Sequence, residues 1–349
     1  MIRIQNIYYM LTYAFQVLKG KGYRNIELEE FENTGDLCAE ILIKSLNMQL
    51  KRGLQREYIS KKELLSCVKG KIDISDSIKT QSLYKNQLVC SYDDFSLNSY
   101  MNRILRSTLE LLLHSEIAAE RKRQIKNILI FFKDVEPVDL RSADWKIYFN
   151  RNNETYRMLM GICYLAAKGL LQTQSDGKSR LMDFLDEQRM SRLYEKFILE
   201  YYKRHYPSLH AGSSFIPWVL DDTEDDMLPV MHSDVSLQDG STVLIIDAKY
   251  YDKNTQVRFD HRTIHSGNLY QIFTYVKNCD YAFGEKSHSV SGMLLYAKTE
   301  EQMQPDNVYK MHGNQIAVKT LDLNADFSHI SFKLDSIVQE HFKGIQKCR

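Results

Sequence analysis

The residues best suited to chemistry lie in the segment Met231-His232-Ser233-Asp234-Val235-Ser236-Leu237-Gln238-Asp239-Gly240-Ser241-Thr242-Val243-Leu244-Ile245-Ile246-Asp247-Ala248-Lys249-Tyr250. It reads as a β-hairpin. With Gly240-Ser241 as a two-residue turn, Asp234 falls directly opposite Asp247. With Asp239-Gly240 as the turn, the two aspartates are diagonal but share a face, whereas a three-residue turn puts them on opposite faces. Lys249 lies two residues beyond Asp247 and projects from the same face. The apolar run Val243-Leu244-Ile245-Ile246 marks a largely buried strand, where facing carboxylates destabilise the sheet unless something compensates their charge. A hard divalent cation does so: Mg²⁺ takes one or two carboxylates together with waters and phosphate oxygens. Lys249 can then orient or help to activate an attacking water and offset charge building on phosphorus. The chemistry is metal-assisted phosphodiester hydrolysis. Asp234, Asp247 and Lys249 are its catalytic residues, and the two aspartates are ligands for Mg²⁺ or its substitute Mn²⁺. The competing reading of Asp247 and Lys249 is a solvated ion pair on an edge strand. Asp-x-Lys by itself is weak, since Asp144-Trp145-Lys146 and Asp176-Gly177-Lys178 share the letters. Neither of those follows an apolar strand.

Two flanking helices offer supporting groups. Glu195, in Ser191-Arg192-Leu193-Tyr194-Glu195-Lys196-Phe197, can reach the metal or a water on it, or else is an exposed glutamate paired with a nearby base. Gln271 and Tyr275 are four apart on one helix face and can line the site, or else are a surface Gln and a core Tyr. Gly177-Lys178-Ser179 resembles the end of a phosphate-binding loop, but Gln172 stands where the first glycine belongs, so no nucleotide is expected on this chain. His261 and His265 have the i, i+4 spacing of a helical metal pair without a third ligand, and Ser266 reads as an N-cap for the next helix. His265 can instead approach DNA.

The elements that position these groups follow from apolar periodicity. Residues 5–19 form a helix whose apolar surface, widened by Tyr8, Tyr9 and Tyr13, runs nearly all round, so it is buried or docked. A helix at 37–50 precedes a small β-rich insert at about 57–95. Helical spacing returns from Leu97 to Phe132, with Met101, Ile104, Leu105, Thr108, Leu109 and Leu112 on one stripe. The second helix there carries Arg121, Lys122, Arg123 and Lys126, read as a solvated face. A helix at 153–171 ends in a polar stretch. Beyond it come a helix (188–205), strand-like runs (212–219, 227–237, 241–250), a helix (267–279), a strand (290–297), short strands near 307–311 and 315–322, and a closing helix. The fold class is α+β or α/β. Residues 1–175 are expected to form a helical domain with the insert, and 176–349 an αβββαβ domain.

The 349 residues suit about two domains of ~150 each. With 44% hydrophobic and 26% charged residues the chain is of ordinary globular composition. Lys and Arg total 46 against 45 for Asp and Glu, a net charge of +1. No global field attracts DNA or an anionic membrane, and any polyanion site must be local. The 6 cysteines are single, without CxxC, which argues against zinc ribbons and disulfide frameworks. Apolar runs reach about five residues against the ~20 of a membrane span. The start of the chain lacks a signal-peptide pattern, so the expected location is cytoplasmic.

The acidic strand, D-x-K strand and flanking helices resemble the PD-(D/E)xK nuclease fold. Pro229 lies five residues before Asp234 rather than beside it, so the first half of that motif is degenerate. The resemblance extends along the chain. Asn6-Ile7-Tyr8-Tyr9-Met10-Leu11-Thr12-Tyr13-Ala14, Lys69-Gly70-Lys71-Ile72-Asp73, Asn98 with Asn102-Arg103-Ile104-Leu105, Asp247-Ala248-Lys249-Tyr250-Tyr251 and Asn268-Leu269-Tyr270-Gln271 together look like the McrC family of restriction nucleases. That resemblance implies a carboxy-terminal endonuclease half and an amino-terminal half that docks on a McrB-type AAA+ GTPase ring and stimulates its hydrolysis. The partner recognises 5-methylcytosine in double-stranded DNA. The catalytic set carried over is Asp234, Asp247 and Lys249, and no GTPase-stimulating residue is identified. The rival functions are an autonomous PD-(D/E)xK repair nuclease and a non-catalytic adaptor of an AAA+ NTPase.

Overall fold

The computed structural model describes residues 2–15, 18, 31, 33–150, 153–176, 187–221, 227–251, 253–258 and 261–348. The chain forms two compact units, one of residues 1–30 with 182–349 and one of residues 31–181. Helix α1 (Ile4–Ala14) therefore groups with the carboxy-terminal residues, which corrects the expected division at 175. Its wide apolar girth is the cause. Ile7, Met10 and Leu11 are fully buried, and the Tyr13 ring meets Phe197 edge-on with centroids 5.4 Å apart. Asn6 Nδ2 donates to the carbonyls of Leu323 and Ala325 at 2.8 and 2.7 Å. The helix is shorter than its spacing predicts, because Phe15 turns to extended backbone at φ −124°.

The unit of residues 31–181 contains α2 (Thr34–Arg52), β1 (Glu57–Leu65), β2 (Lys71–Ile72), α3 (Ile74–Lys79), β3 (Leu88–Ser96), α4 (Tyr100–Leu113), α5 (Ala119–Leu129) and α6 (Glu154–Asp176). Asn33 caps α2 by accepting from Asp36 N at 2.8 Å. The stripe on α4 from Met101 to Leu112 is buried as its spacing predicts. Arg121 departs from the expected solvated basic face. It is buried, with Asp36 Oδ2 at 2.6 Å and Glu40 Oε2 at 3.0 Å. The insert is an antiparallel sheet in the order β1-β3-β2, with α3 lying between β2 and β3 in sequence. Its Tyr58, Ile74, Ile78, Tyr84 and Phe95 are exposed.

The other unit continues with α7 (Glu187–His205), β4 (Phe215–Ile216), β5 (Met231–His232), β6 (Val235–Asp239), β7 (Thr242–Lys249), β8 (Thr255–Arg258), β9 (His261–Ile264), α8 (Ser266–Ala282), β10 (Ser289–Ala297), β11 (Asn307–Met311), β12 (Asn314–Leu321) and α9 (Phe327–His341). A mixed five-stranded sheet runs β11-β12-β10-β7-β6. In it β10 is parallel to β7 and β12, and the outer pairs are antiparallel. Two of the expected strands shrink: β4 and β5 pair only with each other, over two residues each. The hairpin β8–β9 was not expected from the sequence. Gly177-Lys178-Ser179 lies outside the described residues.

One face of the sheet carries α8. Val243 and Ile245 of β7 and Val290, Leu294 and Tyr296 of β10 share a core with Ile272, Tyr275 and Val276 of that helix. Gly292 lets the helix approach, since a Cβ there would stand 2.6 Å from Val276 Cγ2 and 2.8 Å from Ile272 Cγ1. Asp247 and Lys249, of the same strand parity as Val243 and Ile245, project from that face. Among the described residues no helix is long and apolar enough to cross a membrane.

Candidate active site

The β6–β7 hairpin closes on Gly240-Ser241, with Asp239 paired to Thr242 and Val235 to Ile246. This is the first of the two registers that bring the aspartates together. Gly240 takes φ +55°, the positive value such a turn requires at its first central position. Continuing the register one step sets Asp234 against Asp247. Asp234 has left the strand, and its Oδ2 accepts from Ala248 N at 2.8 Å. β7 is flanked by β10 and β6, and Asp247 is 1% exposed, so the solvated edge-strand reading fails.

The Asp247 carboxylate is the unusual group. Both of its oxygens are buried, and among the described residues neither has a well-aligned hydrogen bond, although Lys249 and Asp234 crowd against them. Lys249 Nζ lies 2.8 Å from Oδ2, a charge contact that leaves the oxygen without an aligned donor. Lys249 donates instead to Gln271 Oε1 at 3.2 Å, and Gln271 Nε2 donates to the Tyr275 hydroxyl at 2.9 Å. Gln271 and Tyr275 thus line the site from α8.

Electrostatics agree with this crowding. Burial, then the charges of Asp247 and Glu195, push the Asp234 carboxyl well above the ordinary aspartate value, against the opposing pull of Lys249. Burial works to lower the Lys249 ammonium, yet the carboxylates of Asp247 and Asp234 outweigh it and hold Lys249 above its usual range. Glu195, half-buried on α7, accepts from Ser191 Oγ at 2.9 Å. It meets no base within ion-pair distance among the described residues.

The two histidines do not form a helical pair. His261 begins β9 and His265 occupies the cap position of α8 without a side-chain capping bond, while Ser266 is the first helical residue rather than the cap. A second layer escaped the sequence reading. Tyr296 lies beside Lys249 across the β7–β10 pair. Its hydroxyl accepts from Asn268 Nδ2 at 2.9 Å, and Tyr251 donates to Asn268 Oδ1 at 3.3 Å. Burial pushes the Tyr296 phenol up to about 12. Only the strand register, a long-range fact, places Tyr296 here.

Two carboxylates side by side, one of them buried without a well-aligned hydrogen bond among the described residues, are the oxygen donors that a hard divalent cation prefers. Among the described residues no set of three His, Cys, Asp or Glu side chains gathers to hold a metal.

The molecule is thus a mixed α/β protein in which a buried aspartate and a lysine on one sheet face meet a half-buried aspartate from the end of the neighbouring strand. Residues 4–297 match the model of a family described as "McrBC 5-methylcytosine restriction system component", and the chain belongs to that family. It is 28% identical over 349 residues to the Type IV methyl-directed restriction enzyme EcoKMcrBC of Escherichia coli (strain K12), covering 98% of this chain and 99% of that protein. It also resembles a half-complex from a tetradecameric assembly of Thermococcus gammatolerans McrB AAA+ hexamers with bound McrC. The TM-score is 0.49 at 18% identity, covering 96% of this chain and 76% of that one. For the cryo-EM McrBC complex from the same organism the TM-score is 0.40 at 20% identity, with 58% of each chain covered.

Proposed function

We propose that this chain is the endonuclease subunit of a restriction system, a Mg²⁺-dependent hydrolase of phosphodiester bonds in double-stranded DNA carrying 5-methylcytosine. In this reading it acts only with an AAA+ GTPase partner, whose hydrolysis it stimulates. The observation that carries the chemistry is the Asp247 carboxylate, buried without a well-aligned hydrogen bond among the described residues, beside Asp234 and Lys249. Family membership supports the substrate and the partner. The order of helix α7, hairpin β6–β7, helix α8 and strand β10 supports reading this unit as a PD-(D/E)xK nuclease.

Asp234 and Asp247 would hold the ion. Bound there, Mg²⁺ or Mn²⁺ supplies Lewis acidity that lowers the pKa of water and offsets charge on the scissile phosphate. Lys249 keeps its proton at Nζ under the field of the two aspartates and presents it where negative charge develops. Gln271 holds that ammonium through Oε1 and is itself fixed by Tyr275. Glu195 adds negative charge beside Asp234.

The test uses the full chain assembled with its AAA+ partner, GTP, Mg²⁺ and methylated duplex. Wild type should cut, and Lys249→Ala should not cut while still raising the partner's GTP hydrolysis. Cutting by Lys249→Ala at even about a tenth of the wild-type rate, where a lost catalytic donor costs ~10²-fold or more, would remove this lysine from the active site. Efficient cutting by the chain alone would point to an autonomous nuclease.

A further inference from the structure

Between the end of β7 and the start of α8 the chain makes the excursion β8–β9, which pairs with no other strand. It is firmly seated. The backbone N–H groups of Asn254 and Thr255 donate to Glu301 Oε2 at 2.6 and 3.3 Å, and Thr255 Oγ1 donates to Glu301 Oε1 at 2.7 Å. Asn254, fully buried, donates through Nδ2 to the Ala297 carbonyl at 2.7 Å and to Gln304 Oε1 at 3.1 Å. At its base His265 Nε2 donates to the Lys253 carbonyl at 3.1 Å, and the His265 ring lies 5.5 Å from that of Tyr251. Tyr251 in turn binds Asn268, which binds the Tyr296 hydroxyl beside Lys249. A continuous chain of contacts thus joins the hairpin's base to the candidate active site.

Among its described residues this hairpin exposes two cationic side chains. Lys253 is exposed and meets no carboxylate within ion-pair distance among the described residues. Arg262 is 45% exposed, and its one ion contact among the described residues is a long 3.5 Å to Glu301 Oε1. Thr263 beside it is exposed as well. A chain with net charge +1 has no global field to hold a polyanion, so local cations on a rigid support must do so. Two donors on the excursion that leads from the strand of Lys249 to the helix of Gln271 fit the phosphates of a duplex backbone and carry no base-reading geometry.

We propose that β8–β9 is a phosphate-gripping element that holds duplex DNA next to the scissile bond, with Lys253 and Arg262 as its backbone contacts. The proposal rests on the nuclease reading above. Its test compares wild type, the charge-reversed pair Lys253→Glu with Arg262→Glu, and the conservative pair Lys253→Arg with Arg262→Lys, each assembled with the AAA+ partner and GTP. Cleavage kinetics are measured on a methylated duplex, and anisotropy on the same duplex in the Lys249→Ala background. Charge reversal should raise KM about tenfold at ~0.1 M salt with kcat little changed, and should make the log–log salt slope shallower by about 2, one per phosphate contact. The conservative pair should restore both. Unchanged KM and salt slope in a reversed variant that melts like wild type would overturn the grip and leave the nuclease reading intact. A fall in kcat with KM and binding unchanged would overturn it too. If wild type fails to cut methylated DNA while charge reversal still flattens the salt slope, the nuclease reading fails, and with it the placement beside a scissile bond, while the phosphate contacts of Lys253 and Arg262 stand.

Discussion

Two regions of this protein contain the same ingredients, two aspartates and a lysine, and use them in opposite ways. In the insert, Lys62 bridges Asp73 and Asp76 at the surface, and Asp73 Oδ1 also accepts from Asp76 N at 3.1 Å to cap α3. The Lys62 contact holds both carboxyls below their ordinary value. On β7 the lysine is shared with a glutamine, one aspartate has no well-aligned hydrogen bond among the described residues, and the other is raised by burial and by like charge. A satisfied, solvated cluster stabilises its own loop weakly. A buried, unsatisfied one is a strained site whose deficit a ligand removes, and this is why carboxylates of this kind mark candidate sites. Composition does not separate the two clusters; burial and hydrogen-bond accounting do.

The sharpest way to break the contrast is Asp247→Asn. Cleavage by the assembled complex should drop at least ~10²-fold, the scale for loss of a preorganised charge, while Asp76→Asn in the insert should leave the chemical step unchanged in single-turnover cleavage assays. A smaller effect is expected on stability. Asp234→Asn keeps an oxygen for the Ala248 N–H and removes the repulsion with Asp247, so in EDTA it should gain about 1 kcal/mol in denaturant unfolding. Added Mg²⁺ should raise the melting temperature of wild type and do much less for this variant. The pH dependence has a definite sign. The folded chain holds the Asp234 proton to higher pH than the unfolded chain does, so this group makes metal-free stability fall as pH climbs past 3.8. Asp73 and Asp76 act in reverse, and their contribution is lost as pH falls below that value. A Tm–pH profile in EDTA should therefore flatten on its rising-pH side in Asp234→Asn. Loss of stability at higher pH that persists undiminished in the variant would assign it to another group. The smallest effect belongs to Lys62→Ala: a melting shift near the limit of calorimetric detection, vanishing in high salt.

Much of this arrangement was legible in the residues. Gly240 pointed to a tight turn whose two commonest registers both bring Asp234 and Asp247 onto one face, and the apolar run before Asp247 announced burial that excludes water. Strand β10 and helix α8 were visible because apolar spacing along each is regular. The hairpin β8–β9 was not, because Thr255-Gln256-Val257-Arg258 and His261-Arg262-Thr263-Ile264 are mostly polar and the pair is anchored by Asn254 and Glu301 rather than by a buried face. The partner of α1 was hidden for a different reason. An apolar surface nearly all round states that a helix is covered and says nothing of what covers it. Tyr296 and Asn268 meet only through tertiary packing, and no local pattern encodes a hydrogen bond between residues 28 apart in sequence.

Gly292 reacts with nothing, yet it sets a length. Ile272 and Val276 rest on its bare backbone, and their chain neighbours Gln271 and Tyr275 are the pair that holds Lys249. The β-branched side chains above it are stiff and cannot fold away from an added methyl. Any residue larger than glycine would therefore lever the helix outward and stretch the 3.2 Å contact between Gln271 and Lys249. The site is calibrated from beneath: its tolerance to change is governed by a spacer of zero thickness, two layers removed from the substrate.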